Sequence, residues 1–263
     1  MPKQRFAGIL GTSLLLASST LFAGQITVET VIRDFVRPGI PQPPLTPTTS
    51  AHPDFEATVS GLDQGAVKPV LGLDGKPVFN AAGAGASFSN EANFNQWYRD
   101  TPGINESMTY SLVLNEGSPG VYGIDSDAFF PIDNQLFGNQ GRPHNFHFTL
   151  ELHSLFTYDA SLSQTFSFQG DDDLWLFIDD KLVVDLGGIH PEVSQSLDLS
   201  TLGLVNGTDY KFDLFFAERH TTESHFKMQV AGIDLKPVPD AGSTLALTGL
   251  GLIALACVRR KLA

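Results

Sequence analysis

The sequence predicts an all-β fold, an antiparallel β-sandwich with long loops, and three observations lead there. Segments such as His144–Leu152 and Thr165–Phe168 alternate apolar and polar residues strictly, the period of a half-buried strand. The segment Leu174–Ile178 is apolar on both faces, as a central strand of a sandwich requires. Helical periodicity is scarce along the whole body of the chain.

In chain order, Ile26–Phe35 reads as an opening strand. Residues 37–50 carry a run of prolines that cannot join a ladder, which predicts an exposed extended loop. Gly83, Gly85 and the neighbouring alanines read as a flexible patch, without the strand–helix context of a phosphate loop. From about Asn90 to Ile132 the expectation is irregular chain, with Trp97, Tyr98, Phe129 and Phe130 as anchors onto the core. His144–Leu152 places Phe146, Phe148, Leu150 and Leu152 on one face. Asp179-Asp180 supplies a turn that pairs Leu174–Ile178 with Lys181–Val184 as a hairpin. Tyr210–Phe216 and Phe226–Val230 complete the strands.

The ends differ from the body. Residues 1–23 have a basic start at Lys3 and Arg5, an apolar run and Leu21-Phe22-Ala23, the pattern of a secretory signal removed by signal peptidase during export. At the other end, residues 243–258 carry no charge and Arg259, Arg260 and Lys261 follow at once, the pattern of a membrane segment stopped by cations. The polar body between them, residues 24–236, reads as one domain, and residues 237–263 as a C-terminal signal. The only cysteine, Cys257, lies in the apolar tail, so no intramolecular disulfide staples the fold.

The whole chain carries 16 basic against 29 acidic residues, a net charge of −13. All five terminal cations named above lie in residues 1–23 and 245–263, and no acid does, so the remainder is more acidic still. That excludes nucleic acid and anionic lipid as partners, since both demand a basic patch.

Two resemblances follow from particular motifs. Val238-Pro239-Asp240-Ala241-Gly242-Ser243, followed by the apolar span and basic end, resembles the exosortase-type sorting signals of the Val-Pro-Asp-Ser-Gly variety, with Ala241 in place of Ser. It implies an exosortase-type processing enzyme and a chain held transiently in the membrane. Gly170–Asp179, Lys181–His190 and Phe216–His220, with Ile32–Phe35, His52–Glu56, Phe129–Asp133 and His144–Phe146, resemble the fibro-slime domain over about residues 26–235. Residues 37–50 are then a loop insertion. That domain is similar to the protective-antigen-type β-sandwich, whose lectin branch holds calcium on an Asp pair and sugar on the calcium.

The candidate site is the acidic turn Asp171-Asp172-Asp173, with Glu218 as a further oxygen ligand. In a straight strand Asp171 and Asp172 point to opposite faces and share nothing. A turn, or a cis peptide at about 2.5–4 kcal/mol, brings them together, against a repulsion of about 4 kcal/mol at 4 Å and an effective dielectric near 20. A cation offsets both, and Ca2+ suits loose oxygen donors. A solvated acidic turn, with Glu218 ion-paired to Arg219, fits the spacing as well; the resemblance favours calcium. His190, Arg219 and His220 are the candidate ligand-binding residues at the mouth; His190, His220 and His225 also fit satisfied structural histidines. His144, His147 and His153 do not converge as transition-metal ligands by strand geometry, and no nucleophile elbow, zinc-protease helix or Cys–His pair marks an enzyme. The expected function is an exported surface or matrix protein that binds a glycan through calcium. The alternatives are a structural slime or biofilm component without a small ligand and, third, a carbohydrate-active enzyme.

Overall fold

A computed structural model of the chain describes residues 24–39, 49–221 and 223–237. The signal segment 1–23, most of the proline-rich loop, the sorting motif 238–243, the apolar span 243–258 and the basic residues 259–261 lie outside the described residues. Among the described residues no helix is long and apolar enough to cross a membrane.

Among the described residues eleven antiparallel strands form one sheet: β1 (Gln25–Phe35), β2 (Asn105–Ser118), β3 (Val121–Ser126), β4 (Phe148–Thr157), β5 (Thr165–Gly170), β6 (Asp173–Ile178), β7 (Lys181–Leu186), β8 (Val193–Asp198), β9 (Asp209–Glu218), β10 (Phe226–Ala231) and β11 (Lys236–Pro237). The strand order is β7-β6-β9-β4-β1-β2-β3-β10-β5-β8, with β11 paired to β4. The end strands β7 and β8 approach each other, so the sheet folds over and nearly closes. The inner faces meet through aromatic rings: Phe216 of β9 lies 5.0 Å from Phe226 of β10 and 6.2 Å from Phe168 of β5. Leu150, Leu152, Leu174, Leu176, Leu112 and Val230 fill the same core. Each fully buried side chain of this size stabilises by about 1.5–3 kcal/mol.

Strand β6 is buried at every position, and the reason is a second core on the outer face. Trp175, Phe177, Phe215 and Ala217 pack there against Phe79, Phe88, Phe94, Trp97 and Tyr98. The expected anchors Trp97 and Tyr98 thus cover the back of the sheet. The hairpin β6–β7 turns on Asp179 and Asp180, with φ of +50° and +65°, the left-handed pair that a two-residue turn needs.

Three expectations are corrected. The stretch from Asn90 to Ile132 is not irregular throughout: it contains β2 and β3. Within β2 only Asn105, Leu112 and Leu114 are buried, so its alternation is diluted by exposed polar residues. The strand expected from His144 begins at Phe148, because Asn145 accepts the His147 amide at 3.0 Å and Asp133 takes the Asn145 amide at 2.7 Å, a local turn. Phe146 therefore packs on Phe130, 4.9 Å away, outside β4. The Gly83 patch is a close backbone approach: a Cβ on Gly83 would lie 2.2 Å from the Gly65 carbonyl.

Candidate functional site

The acidic turn sits where two connections cross. One is the bend from β5 to β6, and the other is the loop from β9 to β10. Gly170 ends β5 so close to β10 that a Cβ would meet the His225 carbonyl at 2.3 Å. The next residues cannot continue the ladder, and the chain bends at Asp172, which has φ +56°. Aspartate is among the few non-glycine residues that tolerate this conformation.

The bend separates the three aspartates. Asp171 faces the β10 side, where its Oδ1 accepts the His225 amide at 2.7 Å and its Oδ2 lies 2.9 Å from His225 Nδ1. Asp172 accepts two backbone amides on Oδ2, Arg219 at 2.7 Å and His220 at 3.0 Å. Its Oδ1 accepts no hydrogen bond from the described residues. Asp173 turns the other way: Oδ1 accepts the Gly188 amide and Oδ2 the Arg219 Nε, each at 2.6 Å.

Asp173 and Arg219 are both fully buried. The Arg219 guanidinium also donates to the Ser87 carbonyl at 2.8 Å and the Asp54 carbonyl at 3.1 Å. It lies 4.6 Å over Trp97 and 4.9 Å over Phe88. The structure therefore puts neither Asp173 nor Arg219 at the cleft, where the sequence reading had placed them as a metal ligand and a ligand-binding residue. It also replaces the expected Glu218–Arg219 ion pair with an Arg219–Asp173 one, because consecutive residues at the end of β9 point to opposite faces.

Glu218 points to the same side as Asp171 and Asp172. It is 1% exposed, and its Oε2 has no hydrogen-bond partner among the described residues. Burial pushes its carboxyl well above the usual range, and the neighbouring Asp172 and Asp171 charges push it further. Burial likewise raises Asp172, to about 8, against the lowering effect of Arg219. A buried carboxyl with an unpartnered oxygen is costly to a fold, and three acids around one space raise that cost unless a cation or proton compensates.

That space is a cleft of about 240 Å³ lined by Asp171, Asp172, Glu218, His190, His220 and Glu223 among others. His190 is buried, with Nδ1 2.9 Å from the Pro191 carbonyl. His220 is half-buried, and its Nδ1 contacts the Thr221 carbonyl. Asp171, Glu223 and His225 also place one ligand atom each within 4.8 Å of one another. The donor set around the bend is oxygen-rich and irregular, which fits a hard cation such as Ca2+ and not a tetrahedral nitrogen–sulfur site. His153, by contrast, is held between Glu151 and Asp213 at 2.6 Å each, and His147 lies 3.0 Å from Glu56.

The sequence reading missed Glu56 and Glu223. Glu56 braces the β9–β10 loop: its amide donates to the Arg219 carbonyl at 2.7 Å and its Oε1 accepts the Thr221 amide at 3.2 Å. Burial would raise its carboxyl, but hydrogen bonds from His147 and Thr221 bring it down to about 2. The signal was the His52–Glu56 motif itself, whose Asp54 and Glu56 both serve the Arg219 region.

Protein psiQ of Dictyostelium discoideum is 44% identical over 200 residues, 70% of this chain and 20% of its own length. Protein psiR of the same organism is 40% identical over 201 residues, again 70% of this chain and 20% of its own. The chain thus spans about a fifth of the length of these two relatives. The solved PA14 sugar-binding domain from an RTX adhesin covers 44% of this chain and 75% of its own, at 7% identity and a TM-score of 0.26, too slight an overlap to bear on fold or function. Residues 237–262 match the VPDSG-CTERM motif. Residues 120–238 match the PA14 domain, and with both matches the chain is an exported, surface-associated protein.

Proposed function

We propose that this exported protein binds carbohydrate through a Ca2+ ion seated at the Asp171–Asp172 bend, with no catalytic role. The observation that carries the reading is the convergence of three carboxyls on one cleft, with Glu218 Oε2 unpartnered and Asp172 raised to about 8. Asp171, Asp172 and Glu218 would hold the ion, and Glu223 lies at the rim. A bound calcium leaves coordination positions open to vicinal sugar hydroxyls, while His190 and His220 line the space beside them. Asp173 and Arg219 hold the bend from behind: Arg219 fixes Asp173 by its side chain and Asp172 by its amide.

In this reading residues 1–23 direct export, residues 243–258 hold the chain transiently in a membrane, and an exosortase-type enzyme acts at Val238–Ser243. The domain is of the fibro-slime kind, and its setting is the cell surface or a biofilm matrix.

Calcium titration by calorimetry, followed by a glycan array with and without chelator, tests the proposal. The wild type should bind calcium and retain at least one glycan only without chelator; an Asp171→Asn/Asp172→Asn variant should stay folded and lose both. Glycan retention unchanged by chelator at this site, or no heat of calcium binding, refutes it. Hydrolysis of a glycan that disappears in Glu218→Gln would replace binding with catalysis.

A further inference from the structure

A larger cavity than the acidic cleft lies elsewhere in the fold. It is a groove of about 730 Å³ on the outer face of the strands β2-β3-β10-β5-β8. The register sets what lines it. One row across five strands reads Asn115, Gly123, Gln229, Ser167 and Ser196, each directly opposite the next. The neighbouring row reads Asp125, Lys227, Gln169 and Ser194. At about 4.8 Å between strands, the five-residue row is roughly 19 Å long.

The chemistry of the rows is selective. In a chain with 45 charged residues, the longer row carries none. The single cation of the shorter row, Lys227, is neutralised at one end by Asp127 at 2.9 Å, with Asp125 at 3.7 Å and Glu192 at 3.8 Å. The side chains of Ser167, Gln169, Ser194 and Gln229 make no hydrogen bond to other described residues. Amides and hydroxyls both donate and accept, whereas a carboxylate only accepts and an ammonium only donates. A surface that does both, along a line, complements a polymer of hydroxyls.

Other occupants fit less well. Phe166, Phe168 and Met228 point into the core, and the half-exposed aliphatic side chain left on the lining, Val121, is short of the aromatic anchors of a protein interface. A polyanion would meet a paired lysine on an acidic protein. Gly117 and Gly123 add no side chain of their own on the β2–β3 side of the groove, which gives room for a ring to lie on the sheet.

We propose that this face is a second binding site, which takes a neutral polysaccharide chain lying across the strands and needs no divalent cation. It stands apart from the calcium reading of the cleft: none of the acids at the bend lines it.

Affinity electrophoresis of the purified domain, in excess chelator, through gels containing a soluble β-glucan, an α-glucan or a galactomannan tests it, with a polyuronate as the anionic control. At least one neutral polymer should retard the protein. A Gln169→Ala/Gln229→Ala variant should lose that retardation at least tenfold, and so should Ser167→Trp, which fills the groove. Asp171→Asn/Asp172→Asn should keep it. All three variants should melt close to the wild type or at a temperature that leaves them folded in the gel. Retardation by none of the neutral polymers, by the polyuronate alone, or equally in the groove variants and the wild type overturns the proposal.

Discussion

Arg219 is the residue whose replacement tests the architecture most sharply. Its guanidinium is fully buried, bonded to Asp173, to two carbonyls and to Ser87 Oγ, and lies 4.6 Å from the Trp97 ring and 4.9 Å from the Phe88 ring. Arg219→Met keeps the aliphatic stem and removes the charge. It leaves Asp173 at zero exposure with only the Gly188 amide as a partner. Breaking a buried pair on one side costs about 3–5 kcal/mol. In a domain of this size each kcal/mol lowers Tm by about 2–4 °C, so the fall is on the order of 10 °C. Asp173→Asn should cost a similar amount by stranding the Arg219 charge. The double variant leaves no unpaired charge, and the two losses should fall short of additivity by about 2–3 kcal/mol. Urea unfolding of the four proteins at fixed calcium closes the cycle. An Arg219→Met protein within about 1 kcal/mol of wild type, or strictly additive losses, would refute a structural pair and return Arg219 to the ligand.

Three further outcomes follow from the same coordinates. Phe216→Ala removes a ring that contacts Phe129, Phe148, Phe168 and Phe226, and should cost about 3–5 kcal/mol in denaturant unfolding. Glu218→Gln should stabilise the chelator-treated protein by about 1–3 kcal/mol at pH 8, since it removes a buried acid without a partner, and should abolish the rise in Tm on adding calcium. The Glu151–His153–Asp213 cluster makes stability pH-dependent in two directions. Burial alone would lower His153, but Asp213 and Glu151 hold it up at about 9, above the ordinary 6.5; its contribution is complete below pH 6.5 and lost as pH rises through 9. Burial alone would raise Glu151, but His153, Lys76 and Arg33 hold it at about 2, below the ordinary 4.5; its contribution is complete above pH 4.5 and lost as pH falls towards 2. Asp172 adds a fall of the same sign as His153 between about pH 4 and 8. The diagnostic is therefore a flatter alkaline limb in His153→Gln than in wild type, read by thermal melts.

Much of the fold was legible because alternation is a local signal. Thr165–Phe168, Tyr210–Phe216 and Phe226–Val230 announce their strands by side-chain period alone. β8 was missed for the opposite reason: Ser194, Gln195 and Ser196 are exposed on an edge strand, so burial imposes no pattern on them. The site was half legible. Asp171, Asp172 and Glu218 do converge on one cleft, and that turns on a single backbone angle at Asp172. No spacing rule showed that Asp173 would leave the group, because its partner Arg219 is 46 residues away. Glu56 was quoted only as part of a motif, and its contact with Thr221 spans 165 residues.

The short strand β11 sets how the domain answers a mechanical load. Lys236 and Pro237 pair with Leu155 and Ser154 of β4, and the Ser154 hydroxyl donates to the Lys236 carbonyl at 2.8 Å. A tether attached beyond Pro237 therefore pulls first on two residues laid against a strand at the middle of the sheet. These detach one contact at a time, and the strain then reaches the buried Leu235 and Ile233 before it reaches β10. The chain carries a short length of sacrificial slack, and both the acidic cleft and the polar groove stay intact while it is spent.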